Sequence, residues 1–118
     1  MTENVFWVIE LAVNPGRSEE LEALVPELVE ANRNEVGMLT QEIAISDDRQ
    51  VCHIYERFQD PAAVATHAQL FGANFAARFF EILKPTRVVV YGTPSEQVKD
   101  ALAGVNPVYM APLGGFRK

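Results

Sequence analysis

The chain has 118 residues, one domain's worth, and 48% of them are apolar, enough to build a core. Its formal charge is -6 and its lysines and arginines do not cluster, which argues against a surface that tracks nucleic-acid phosphates. A single cysteine, Cys52, excludes an intrachain disulfide and a cysteine-built zinc site.

The first run, MTENVFWVIELAV, has no basic leader, and Glu3 and Glu10 bracket its short apolar core. It reads as a strand rather than a signal peptide, and no apolar segment approaches the length of a membrane span, so the expected location is the cytoplasm. Val5 to Val13 is rich in strand formers and ends at Asn14-Pro15-Gly16, a turn signal. Trp7, Ile9, Leu11 and Val13 share one face; Phe6, Val8 and Ala12 share the other, with Glu10. Both faces are largely apolar, as in a strand covered on both sides.

Ser18 to about Glu35 predicts a helix, with Leu21, Leu24, Val25, Leu28 and Val29 as its stripe and Gly37 as its stop. Pro26, inside the pattern, is expected to kink it or remove one backbone bond. Leu39–Ser46 and Val51–Phe58 flank the polar Asp47-Asp48-Arg49-Gln50 and predict a hairpin. Asp60-Pro61 is an N-cap followed by a proline at the first helical position. The helix is expected to run to about Phe71 and to break at Gly72; a second carries Phe75, Phe79, Ile82 and Leu83 and ends at Pro85. Arg87–Tyr91 predicts a last strand, Ser95–Ala103 a short helix with Val98 and Leu102 inward. The Pro/Gly-rich tail still holds Val108, Tyr109, Met110, Leu113 and Phe116, more apolar residues than a free tail needs.

The order β-α-β-β-α-β is the split-βαβ, ferredoxin-like arrangement of an α+β domain. Helices cover one sheet face in that topology, so the apolar second face needs another cover, and a second copy of the sheet is the simplest one.

Three stretches resemble antibiotic-biosynthesis-monooxygenase (ABM) domains: VGMLTQEIAISDD as the Gly-initiated second strand, HIYERFQDPAAVATH as the third strand and following helix with its His, and NFAARFFEIL as the aromatic second half of that helical region. The resemblance implies a dimeric α/β barrel, with an ABM-like domain at residues 1–94 and residues 95–118 as a helix and tail packing on the domain or on the dimer partner. It also implies a pocket in each subunit between sheet and helices. The family is functionally mixed, so membership implies fold better than function. Haem-degrading members carry an Asn, a Trp and a His where Ile9, Phe58 and Phe79 stand here, and hydrocarbon side chains cannot ligate or donate. Neither haem nor flavin is expected, the flavin because no phosphate-binding loop is present. Asn74 stands where a second family His is common, after a Phe71-Gly72 insertion.

His67 lies beside Val64, Ala68 and Phe71, on the edge of the apolar stripe. Two readings stand side by side: a helix-edge His tied to a backbone group or carboxylate, and, from the resemblance, a pocket base for a phenol or enolisable carbonyl. Glu56 shares a face with Ile54 and Phe58 and needs a partner, which His67, Arg78 or Arg87 could supply. His53, Tyr55 and Arg57 fall on the other, expected dimer face. Trp7, the only tryptophan, is either core or a stacking platform for an aromatic ligand. Asn74, Arg78 and Tyr91 are candidate donors in the pocket, and Phe58 and Phe71 candidate walls. Cys52 is expected to be inert. No phosphate loop, catalytic triad or spaced metal site appears.

The leading functional expectation is a cofactor-independent monooxygenase of ABM type on a small aromatic or quinoid substrate, with His67 as base. The alternative is a non-catalytic or ligand-binding dimer whose pocket is filled by Phe58, Phe71, Phe75, Phe79 and Phe80. A cavity lined by His67 and a second polar group favours the enzyme; a packed interior favours the alternative.

Overall fold

Strand alternation along Val5–Val13 (β1) decides the layers: Val5, Trp7 and Leu11 are buried on one face, whereas Phe6, Val8 and Ala12 on the other are half-covered. A computed structural model describes residues 3–118; Met1 and Thr2, part of the N-terminal run and of the expected first domain, lie outside the described residues. After β1 come α1 (Ser18–Arg33), β2 (Met38–Ile45), β3 (Val51–Phe58), α2 (Pro61–Asn74), α3 (Ala76–Ile82), β4 (Leu83–Tyr91), α4 (Glu96–Leu102) and β5 (Val108–Met110). The sheet order is β2-β3-β1-β4-β5, antiparallel except for the β4–β5 pair. This is the expected ferredoxin-like α+β fold with a fifth strand added at one edge.

The helices cover a single face, over two apolar clusters. One, under α1 and α3, contains Leu11, Leu21, Leu24, Leu28, Cys52, Ile54 and Phe79; the other, under α2 and α4, contains Val5, Trp7, Phe58, Val64, Val88, Val90 and Val98. Ile9 packs against both. Each buried leucine of α1 contributes about 1.5–3 kcal/mol relative to exposure.

Pro26 lies inside α1 on its exposed side, where its missing N–H removes one backbone bond as expected while the helix continues through it. Two other local expectations are corrected. The break after α2 falls at Phe75 (φ -130°), not at Gly72, since a helical glycine costs only about 1 kcal/mol against alanine. Pro85 does not end a helix; α3 stops at Ile82, and Pro85 lies in β4, opposite Leu11 at a register shift. A bulge is where a residue without an N–H fits a strand. Asp60 caps α2 as expected, its Oδ1 accepting from the Ala63 N–H at 2.9 Å.

Gly37, between α1 and β2, has a specific steric reason: a methyl group there would run into the Ala63 side chain at the start of α2. The close approach brings the α1–β2 connection, and with it Glu35, against the helix that carries His67.

Candidate active site

A cavity of about 280 Å³ lies between the sheet and the helices, where the two apolar clusters meet. This is near the small end of ligand pockets, roughly 300–1,000 Å³. Its sheet wall is Trp7 and Ile9 of β1, Gln41 of β2, Ile54 and Glu56 of β3, and Pro85 and Val88 of β4. Leu28 and Asn32 of α1, His67, Ala68 and Phe71 of α2, and Ala76, Phe79 and Phe80 of α3 form the helical wall. Ala101 and Leu102 of α4, with Gly104 and Val105 of the following 3-10 turn (Ala103–Val105), close the remaining side. Among the described residues, no lysine or arginine lines it.

The polar groups are concentrated on one part of the wall. Glu56 is buried, and its carboxylate accepts two hydrogen bonds, from Trp7 Nε1–H to Oε1 at 2.8 Å and from Gln41 Nε2–H to Oε2 at 2.8 Å. Two donors at this position suit an acceptor-only carboxylate. Strand register sets the arrangement, because Trp7 and Gln41 are the two residues paired with Glu56 across β1 and β2. Arg78 and Arg87, two of the expected partners of Glu56, are engaged elsewhere: Arg78 with Glu27 at 2.8 Å and Arg87 with Glu10 at 3.6 Å.

His67 is also buried, and its ring is held among aromatics, with centroids at 5.1 Å from Phe58, 6.0 Å from Phe71 and 6.3 Å from Trp7. Its Nδ1 lies 3.1 and 3.2 Å from the two oxygens of Glu35. A carboxylate can only accept, so Nδ1 carries a hydrogen, and in the neutral ring Nε2 is the bare nitrogen. Nε2 stands 3.8 Å from Glu56 Oε1, beyond direct hydrogen bonding. Glu35 thus fixes the tautomer and orientation of an imidazole whose basic nitrogen faces Glu56 at the cavity. Gln41 Oε1 is a buried acceptor without a hydrogen-bond partner among the described residues.

Of the sequence candidates, the structure brings His67, Trp7 and Phe71 to the cavity. Phe58 is fully buried behind it, packed on Trp7 at 4.8 Å between centroids, and supports the His67 ring rather than lining the space. The other three are corrected. Asn74 is exposed at the end of α2; Arg78 is exposed and held by Glu27; Tyr91 is on the opposite sheet face, stacked on Phe6 at 4.9 Å. Asn74 falls near the His67–Phe71 face of α2 by helical spacing, but it is the last residue of the helix, about 10 Å along the axis beyond His67 and past the cavity lining.

Sequence reasoning missed Glu35, Asn32 and Gln41. Two signals were available: Asn32 continues the buried α1 series four residues after Leu28, and Gln41 shares a strand face with Ile43 and Ile45. Glu35, just beyond α1 in a surface-like run, carries no such signal. No three His, Cys, Asp or Glu side chains among the described residues come together as a metal site, and no helix among them is long and apolar enough to cross a membrane.

A split-βαβ sheet covered on one face by helices, with His67 and Glu56 buried at a partly open, mostly apolar cavity, defines a domain of the ferredoxin-like α+β class. The chain belongs to the antibiotic biosynthesis monooxygenase family, whose model matches residues 4–73. Among solved structures it is similar to MupZ from Pseudomonas fluorescens, at 17% identity over 100% of this chain and 91% of that chain, with a TM-score of 0.87. SnoaB, a cofactor-independent oxygenase from Streptomyces nogalater, is similar at 14% identity over 80% of this chain and 96% of its own, with a TM-score of 0.67. A conserved protein from Methanosarcina mazei Go1 gives 20% identity, 76% and 92% coverage, and a TM-score of 0.67. At these identities the likenesses establish the fold. Comparison with curated proteins finds no match.

Proposed function

We propose that the protein is a cofactor-independent oxygenase acting on a small, uncharged aromatic or quinoid substrate, with His67 as general base. The observation that carries this reading is the placement of His67, whose Nδ1 is held by Glu35 behind the cavity wall while Nε2 faces Glu56 on it. A cavity lined by His67 and by Glu56, Gln41 and Asn32 also favours an enzyme over an interior plugged by phenylalanines. Family membership and the oxygenase among the similar structures support the same class. The absence of any lysine or arginine among the described lining residues argues for an uncharged ligand, because a carboxylate or phosphate would be buried beside Glu56 with no counter-charge.

The chemistry begins at an activated CH2 carbon of an electron-rich ring system, such as the keto tautomer of a phenol. His67 Nε2 takes one proton, and the C–H electron pair stays on the substrate as a delocalised carbanion. The carbanion gives two electrons to dioxygen, a C–O bond forms, and the resulting peroxide anion takes the proton back from His67. Breaking the O–O bond with loss of the second C–H proton expels water and leaves a carbonyl, so CH2 and O2 become C=O and H2O. Glu35 holds the imidazole through both transfers, and the apolar walls keep bulk water from the carbanion.

The same reading makes the protein a homodimer through the outer sheet face. Phe6 stacks on Tyr91 there, Arg57 lies 4.0 Å over the Phe6 ring, and the exposed Val108, Tyr109, Met110, Leu113 and Phe116 extend from the adjacent edge. Sedimentation showing a monomer at micromolar concentration would overturn the dimer. The oxygenase is tested by oxygen uptake with a panel of naphthols, naphthoquinols and anthrones. Uptake above the spontaneous rate is expected, falling by about two to four orders of magnitude in His67→Ala. Binding of these compounds without oxygen uptake would replace the enzyme with the ligand-binding reading.

A further inference from the structure

The polar side chains of the cavity all come from one part of the chain, and one of its apolar sides comes from another. Trp7, Asn32, Gln41, Glu56 and His67 all fall inside the family-matched residues 4–73. Ala101, Leu102, Gly104 and Val105, which close the cavity, fall outside that match, and the similarity to MupZ, which covers the whole chain, takes them in. We propose that this C-terminal segment is the specificity wall of the site, with Leu102 and Gly104 setting the size of aromatic ligand admitted. This rests on the cavity being the ligand site.

The segment is placed by the fold at both ends. Ser95 caps α4, accepting from the Val98 N–H at 3.2 Å, and Val98 is 1% exposed in the cluster with Trp7 and Val88. Asn106 ends the 3-10 turn in the left-handed region (φ 49°), which sends the chain back along the sheet. There β5 pairs with β4, Val90 opposite Tyr109, and the Gly92 N–H donates to the Met110 carbonyl at 3.2 Å. Between these anchors the segment gives the cavity only small or aliphatic groups. Leu102 is half-buried against the second cluster, so its side chain is a removable part of the wall. A Cβ added at Gly104 meets no atom within 4 Å, and the glycine has no positive φ, so a larger side chain fits there without disturbing the backbone. A wall of this kind discriminates by size and carries no chemistry, while Glu56 and His67 hold the reacting end.

The test is calorimetric titration of the full chain with 1-naphthol, which has two rings, and 2-hydroxyanthracene, which has three. Leu102→Ala is expected to shift the ratio of the two dissociation constants toward the three-ring ligand by about tenfold, the usual effect of a few methylenes in an apolar pocket. Gly104→Leu is expected to shift it the other way. If either variant weakens or strengthens both ligands equally, the segment is scaffold and the proposal fails while the site stands. Should Leu102→Ala not fold, Gly104→Leu alone decides. A wild-type protein that binds neither ligand overturns the ligand site, and the wall with it.

Discussion

Glu56 offers a direct measure of what holds the site together. Truncation to alanine removes the acceptor for two buried donors, Trp7 Nε1–H and Gln41 Nε2–H, each at 2.8 Å. Stranding a buried donor costs about 1–3 kcal/mol, so the pair sets an upper range of roughly 2–6 kcal/mol. The adjoining cavity can admit water to the freed donors, which moves the expectation for Glu56→Ala to the lower part, about 2 kcal/mol. Glu56→Gln behaves differently. Its amide oxygen can keep the Trp7 bond, and its NH2 can donate to Gln41 once the Gln41 amide flips. That flip gives Gln41 Oε1 a donor to accept from and turns the Gln41 NH2 into the position Oε1 now holds without a partner, where the adjoining cavity can hydrate it. Two charge-assisted bonds become two neutral ones, while the cost of burying a charge disappears, so the net change is expected within about 1 kcal/mol. Urea unfolding measures both. A Glu56→Gln variant as damaged as Glu56→Ala, or an alanine variant as stable as wild type, would refute the claim that these two hydrogen bonds organise the wall.

Three other outcomes follow from the same geometry. His67→Ala removes the partner of the buried Glu35 carboxylate and is expected to cost about 1–3 kcal/mol in a denaturant melt; an unchanged midpoint would show that Glu35 finds another donor. Gly37→Ala drives a methyl into Ala63 and is expected to destabilise by about 1–3 kcal/mol and to displace the start of α2, seen as shifted His67 ring resonances in NMR; wild-type stability and shifts would mean that α2 yields without cost. Burial raises the Cys52 thiol from 9.0 to about 11, so Ellman's reagent at pH 8 is expected to react only after unfolding. In the native state Cys52 keeps its proton where the unfolded chain has lost it, so its effect on stability is absent below about pH 9 and becomes destabilising as pH rises toward about 11. A Cys52→Ala variant with the same alkaline slope as wild type would remove that contribution.

Much of the fold was legible because strand and helix periods were written over long windows. The alternation in Val5–Val13 sorted β1 into two faces, both apolar, so it left open which one meets the helices. The alternation in Val51–Phe58 placed Glu56 beside Ile54 and Phe58 on one face, which the structure covers with helices. What failed were single-residue signals. Gly72 and Pro85 read as breakers, yet the sheet and the helix packing override a local preference of about 1 kcal/mol for the glycine. A bulge gives the proline a place in a strand.

The site was half legible for a different reason. His67 and Trp7 were found because a polar or bulky residue on an apolar stripe is visible in one dimension. The partners that give them a chemical role are not local: Glu35 is 32 residues before His67, and Trp7 is 49 before Glu56. Strand register makes the Trp7–Glu56–Gln41 contact, and register is a property of pairing rather than of any one segment. The mistaken donors show the converse. Asn74, Arg78 and Tyr91 have suitable chemistry, but one ends a helix, one is held by Glu27, and one is on the far sheet face. Side-chain type limits what a residue can do, and topology decides which residues meet. The two readings of His67 are for this reason not exclusive: the bond to Glu35 that ties α2 to the end of α1 is the same bond that turns Nε2 toward Glu56 and the cavity.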